Sequence, residues 1–189
     1  MDRIILASQS VRRKQLLEWA EIDFDIVISE TDESYPLGLP IEQVPVHIAR
    51  NKALAVKEKI SAERTILAAD TIVVLHGEVI GKPIDRTAAI KILAGLSGNK
   101  HLVITGVVIM KGEQEVAFPD ITEVWFHELS LAQIEFYIDK YRPYDKAGAY
   151  AIQEWIGVIG IKSIQGDFYN VMGLPVSRVV KSLSRDFKR

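Results

Sequence analysis

Apolar positions along this chain follow two spacings, and together they divide it into alternating short strands and helices. Residues 3–7 are a compact apolar run that predicts a buried strand, followed by Ser8-Gln9-Ser10 and a helix over about 11–20. Residues 24–29 predict a second strand, which runs into a polar loop carrying Glu30, Asp32 and Glu33. From about Pro45 to Ile60, the residues Val46, Ala49, Ala53, Val56 and Ile60 line one stripe of a helix. Thr65 to Leu75 is β-branched and apolar, and His76-Gly77-Glu78 turns it into a hairpin. A helix over 85–97 has Asp85 as its N-cap and Gly98 past its end. Strands at about 101–110 and 114–127 meet at Lys111-Gly112, and Ser130 caps a helix reaching about Lys140. Residues 141–154 predict a loop bearing Pro and Gly, followed by an apolar segment around 156–164. A Gly166-Asp167 turn then precedes a C-terminal helix from about Leu174.

Helices and strands mixed over the whole length predict an α/β fold with a mixed sheet flanked by helices. The two hairpins argue against a purely parallel, doubly wound sheet. At 189 residues the chain fits one domain spanning 1–189, or two small lobes sharing a core. Neither a GxGxxG nor a Walker pattern occurs, so a dinucleotide fold and a P-loop NTPase have no support.

Composition narrows the function classes. A hydrophobic share of 48% with 25% charged residues is that of an ordinary globular protein. The net charge of -2 offers no general attraction for nucleic acid or an anionic membrane, so stable nucleic-acid binding is not expected. Any polyanion site must be a local gathering of Lys and Arg. The absence of cysteine excludes disulfides and thiolate catalysis and suits a reducing compartment. The N-terminal apolar run is too short for a signal peptide, and no stretch approaches the roughly 20 apolar residues of a membrane helix. A soluble, cytoplasmic protein is the expectation, with a homodimer left open.

Four segments carry candidate chemistry. In Leu6-Ala7-Ser8-Gln9-Ser10-Val11-Arg12-Arg13, two hydroxyls and two guanidiniums gather where a strand meets a helix N-terminus. Arginine there opposes the helix dipole, which makes sense if an anion sits between the two. A capping Ser10 with two solvated arginines explains the segment equally well. Asp70 interrupts Ile66-Leu67-Ala68-Ala69-Asp70-Thr71-Ile72-Val73-Val74, a run apolar on both faces. A carboxylate there is costly without cations, a metal or hydrogen bonds, so it reads as a functional acid. Lys52, on the shoulder of its helix stripe, and Lys82, in Gly81-Lys82-Pro83, are candidate cations. Each alone is commonly a snorkelling surface residue. With Glu33 and Asp70 they have the composition of a phosphate and magnesium site. Finally, Tyr141 to Glu154 is rich in aromatic and hydrogen-bonding side chains suited to a planar base and a sugar. The Gly166 to Pro175 segment is a similar polar turn, in which Asn170 reads best as turn chemistry. His47, His76, His101 and His127 lack metal-ligand spacing and read as structural or surface residues.

Taken in order, these segments resemble the Maf family of nucleotide pyrophosphatases. The resemblance runs through Leu6-Ala7-Ser8-x-Ser10-x-Arg12-Arg13, Asp32-Glu33, Asn51-Lys52-Ala53, Ala69-Asp70-Thr71, Gly81-Lys82-Pro83 and Thr105-Gly106-Val107. It continues through Tyr144-Asp145-Lys146-Ala147-Gly148, Ile152-Gln153, Gly166-Asp167 and Asn170-Val171-x-Gly173-Leu174-Pro175. Any one block is weak, but the ordered set covers essentially the whole chain. It implies an elongated mixed sheet with a central cleft, related to the inosine-triphosphate pyrophosphatases. It also implies a divalent cation (Mg²⁺ or Mn²⁺) and hydrolysis of a nucleoside triphosphate between its α and β phosphates. Asp70 matches the family's proton acceptor and, with Glu33, its metal side. Ser8, Arg13, Lys52 and Lys82 match phosphate-side positions, and Arg12, Thr71 and Gln153 match positions associated with base choice. Ala-Asp-Thr and Ile-Gln resemble the branch acting on dTTP and UTP. A buried amide at Gln153 would offer a donor and an acceptor to the imide edge of uracil or thymine.

Two departures stand out. Val11 replaces a common proline, and Glu154-Trp155 replaces a commoner glycine-containing continuation beside the base-choice position. Other readings are a house-cleaning enzyme for modified or purine nucleotides, or a non-catalytic nucleotide- or DNA-binding regulator of cell division. Asp70 counts against the latter, since a mere phosphate binder gains nothing from a carboxylate facing its anion.

Overall fold

A computed structural model describes residues 3–60 and 63–187. Of the basic residues at the C-terminus, Lys188 and Arg189 lie outside the described residues. The chain is α/β. In order it forms β1 (Ile4–Leu6), α1 (Val11–Trp19), β2 (Phe24–Ile26), α2 (Val44–Lys57), β3 (Ile66–Leu75), β4 (Glu78–Ile80) and α3 (Arg86–Leu96). Then come β5 (Lys100–Lys111), β6 (Gln114–Phe126), α4 (Leu131–Tyr141), α5 (Trp155–Gly160), β7 (Ile161–Gln165), α6 (Phe168–Met172) and α7 (Val176–Asp186). Single 3₁₀ turns at Ile41–Gln43 and Ala147–Ala149 complete the pattern. The strands make one seven-stranded sheet in the order β2-β1-β3-β5-β6-β7, with β4 paired to β3. It is mixed: β1 runs parallel to β2 and β3, whereas β3–β4 and β6–β7 are antiparallel.

The predicted caps form. Ser10 Oγ accepts from the Arg13 amide, Asp85 accepts from the Ala88 amide, and Ser130 with Gln133 makes a reciprocal capping box. Two segments differ from the sequence expectation. The apolar run around 156–164 divides into a short helix and an edge strand, and the polar turn after Gly166 coils into α6. Both are too short for periodicity to type.

The chain divides into two compact units. The first comprises Met1–Thr71, Thr105–Asp120 and Gly173–Arg189. In it, Val46, Ala49, Ala53 and Val56 of α2 pack on Ile5, Ala7, Ile66, Ala68, Val108 and Met110, with Ile60 partly buried at the margin. The predicted stripe is therefore the core face of that helix. Gly106 lets β5 lie against the start of α2, because a Cβ there would stand 2.1 Å from the Val46 nitrogen. The second unit comprises Ile72–Ile104 and Ile121–Met172. Arg86 of α3 reaches Asp139 at 2.7 Å and Glu135 at 3.2 Å on α4. His101, Phe126 and Tyr150 pack edge to face, with centroids 5.0–5.4 Å apart. Among the described residues no helix is long and apolar enough to cross a membrane.

Candidate active site

The first unit gathers most of the predicted residues around the end of β1 and the middle of β3. β1 ends at Leu6, and Ser8 follows it into α1. Ser8 Oγ accepts from the Ser10 amide at 3.2 Å and from Arg13 Nη1 at 3.1 Å. Arg13 Nη2 donates to Thr71 Oγ1 at 3.0 Å, and its Nε donates to the Gly173 carbonyl at 2.8 Å. Three of the five guanidinium N–H groups are thus committed to the fold. Gly173 has φ +115°, a conformation that suits glycine, and this aims its carbonyl at Arg13. Thr71 Oγ1 also lies 2.9 Å from Thr105 Oγ1, itself fully buried.

The two arginines of the motif are therefore unlike. Arg13 is buried and held on several sides, whereas Arg12 is half-buried. Burial draws the Arg13 pKa below its ordinary value. Asp70 opposes that fall, Arg12 adds to it, and Glu33 opposes it. Arg13 remains a cation regardless.

Asp70 sits in β3, half-buried with the adjacent Thr71 between buried Ala69 and Ile72. Its Oδ1 accepts from Lys52 Nζ at 2.7 Å, and the same ammonium donates to Glu33 Oε1 at 2.8 Å. Lys52 reaches both because α2 presents it beside the stripe that packs on the sheet. Arg50 and Lys59 point elsewhere, to Glu115 and to the Ile28 carbonyl. Next to Glu33, the Ser34 hydroxyl and amide donate to Asp32 at 2.6 and 2.9 Å, fixing the loop and holding the Asp32 carboxyl below its usual range.

Since Glu33 Oε1 and Asp70 Oδ1 share one Nζ, they lie at most 5.5 Å apart (2.8 + 2.7). Two convergent carboxylates match the demand of Mg²⁺ or Mn²⁺, which takes one or two of them and completes its shell with phosphate oxygens and water. No larger acidic or histidine cluster competes for such an ion among the described residues.

Lys82 and Gln153 belong to the second unit. Lys82 is exposed, in a loop whose Gly81 carbonyl accepts from the Gly148 amide at 3.3 Å and whose Pro83 is buried. Gln153 is also exposed, which corrects the expectation of a buried amide. It stands at a turn in which the Glu154 amide donates to the Ala151 carbonyl at 3.1 Å. A groove of about 390 Å³ opens beside it, lined by Ile152, Gly157, Val158, Ile161, Ile164 and Phe168 among others.

The 141–154 segment is less open than its polar sequence suggests. Tyr150 is buried and bonds His101 Nε2 at 2.8 Å, and Tyr141 stacks on Tyr137, so these rings serve packing. Asn170 is also fully buried rather than a turn cap, donating to the Val103 carbonyl and Thr122 Oγ1. Sequence reasoning missed Thr105 and the Gly173 carbonyl as supports of Arg13. Thr105 carried the same signal as Asp70, a polar residue within an apolar strand.

Residues 3–186 match the family model described as Maf-like protein. A dTTP/UTP pyrophosphatase of Cytophaga hutchinsonii is 52% identical over 97% of this chain and 84% of its own length. One from Parabacteroides distasonis is 48% identical over 96% of this chain and 94% of its own. Among solved structures, the Staphylococcus aureus Ham1 protein is similar over 67% of this chain and 73% of its own, with a TM-score of 0.47 and 13% identity.

Proposed function

We propose, from the premise that this chain belongs to the Maf family, that it hydrolyses dTTP and UTP to the nucleoside monophosphate and pyrophosphate. One observation carries the chemistry: a carboxylate, Asp70, is held in an otherwise apolar strand against the ammonium of Lys52. The names of relatives 44–52% identical over nearly the whole chain support dTTP and UTP as the substrates.

Asp70 takes the proton of the attacking water. Arg13, oriented by Ser8, Thr71 and Gly173, faces the polyphosphate with a charge that the fold has already positioned. Lys52 neutralises negative charge beside Asp70, and Lys82 and Arg12 are assigned to the substrate by the motif match. Glu33 and Asp70 would hold a divalent cation, which when bound polarises the phosphoryl oxygens and offsets their charge. Gln153 and Arg12 are each assigned to base choice by the motif match. Thr71, whose hydroxyl is engaged by Arg13 and Thr105, is assigned to base choice by the motif match. An enzyme of the free nucleotide pool belongs in the cytoplasm and needs no nucleic-acid partner.

The test is purified protein with Mg²⁺ and a panel of NTPs and dNTPs, with monophosphate and pyrophosphate both quantified. Equimolar monophosphate and pyrophosphate, fastest from dTTP and UTP, is the expected result. Primary release of orthophosphate and diphosphate would refute it.

A further inference from the structure

The Glu154-Trp155 departure has a structural counterpart on α4. Tyr137 of α4 is fully buried, and its hydroxyl donates to the Glu154 carboxylate while accepting from the Ala151 amide at 3.2 Å. Ala151 and Glu154 are the two ends of the turn that carries Gln153, so one hydroxyl grips both. Glu154 also pairs with buried Lys146 at 3.7 Å, and Trp155 packs edge to face on Phe136, the α4 residue preceding Tyr137. On the other side Gly157 closes on the turn, since a Cβ there would stand 1.8 Å from the Ile152 carbonyl oxygen. Gln153 itself projects to solvent. Its surroundings do not hold its side chain; its backbone is held instead.

We infer that Tyr137 and Glu154 are positioning residues for base selection, clamping the Ala151–Glu154 turn so that Gln153 meets the base from one fixed backbone position. The inference rests on the dTTP/UTP reading above and deepens it. An exposed amide can rotate and flip, and alone it discriminates poorly between bases. A backbone fixed at both ends of a four-residue turn leaves only the side-chain rotations to be ordered when substrate arrives, so less ordering entropy is lost on binding. Neither Tyr137 nor Glu154 need touch the nucleotide for this.

The experiment measures kcat and KM for dTTP, UTP and CTP in wild type, Tyr137→Phe, Glu154→Ala and Glu154→Gln. Tyr137→Phe preserves the ring and removes the hydroxyl. It and Glu154→Ala are expected to lower the dTTP-to-CTP ratio of kcat/KM by about three- to tenfold, the scale of one lost hydrogen bond, through KM for dTTP. Glu154→Gln, which keeps an acceptor for the tyrosine hydroxyl, should retain the wild-type ratio. Combined with Gln153→Ala, Tyr137→Phe should cost no further selectivity, because the two act as one unit. Hydrogen exchange over residues 151–157 without nucleotide should quicken in Tyr137→Phe. A uniform fall in rate with the ratio intact, fully additive double-mutant effects, or unchanged exchange would each overturn the clamp. A wild type that makes no monophosphate from any of the three nucleotides refutes the pyrophosphatase reading instead, and the exchange measurement still decides the clamp.

Discussion

Lys52 Nζ lies 2.7 Å from Asp70 Oδ1, with only 18% and 13% of their side chains accessible, and the same ammonium reaches Glu33. A pair so little solvated is poorly screened, and removing one member leaves the other exposed to the full cost of desolvation. The pair sits where the phosphate chemistry is proposed.

Asp70→Asn keeps the side chain's shape while removing the base and its charge. Turnover of dTTP should fall by about two orders of magnitude or more. Circular dichroism should show the fold retained. Near-normal turnover by the folded variant would make Asp70 a structural partner of Lys52.

Lys52→Met should act on stability as well as rate, because Asp70 and Glu33 then face each other without their shared cation. The unfolding free energy should drop by about 1–3 kcal/mol in metal-free buffer. Added Mn²⁺ should restore more of it than in wild type if the carboxylates hold the ion. Denaturant titrations with and without Mn²⁺ measure both effects.

Gly106→Ala places a methyl group 2.1 Å from the Val46 nitrogen, so β5 and the start of α2 must part. A loss of about 3 kcal/mol or more is expected. Thermal unfolding against wild type is the check. Gly38, with nothing within 4 Å of a built Cβ and φ +81°, serves as a control in which Gly38→Ala carries only backbone strain.

His101 gives a pH dependence of known sign. Burial lowers its pKa from 6.5 to about 4, so between those values the unfolded chain binds a proton that the native protein refuses. The contribution is fully present above pH 6.5 and is lost as pH falls toward 4, by up to about 3 kcal/mol. His101→Phe should flatten the stability slope over that window in urea titrations, whatever it does to absolute stability.

Gln153→Glu should erode the preference for dTTP and UTP over CTP more than it lowers kcat on the best remaining substrate. Because Gln153 is exposed, water compensates a mispaired amide, and a change of roughly three- to tenfold in the ratio is expected. An unaltered preference order and ratio would place base reading elsewhere.

Much of this was legible from residue patterns. The α2 stripe, the Asp85 and Ser130 caps and the His76-Gly77 hairpin depend on local chemistry, and each formed where the sequence placed it. Asp70 announced itself as a carboxylate inside an apolar strand, whereas Thr105, equally polar in an apolar strand, was passed over. What stayed hidden depends on contacts distant in sequence. Nothing near residue 13 says that its guanidinium ends on the Gly173 carbonyl, and nothing near residue 150 says that its ring packs on His101 and Phe126. Gln153 reads in the sequence as a buried amide, whereas the turn leaves it exposed.

The bond from Arg13 to the carbonyl of Gly173 spans 160 residues. During biosynthesis, therefore, the arginine is made 160 residues before its acceptor. A ribosome-bound or prematurely terminated chain has the charges of the site without their arrangement. Synthesis of residue 173, rather than the appearance of the first strands, sets the earliest moment at which an organised Arg13 can exist.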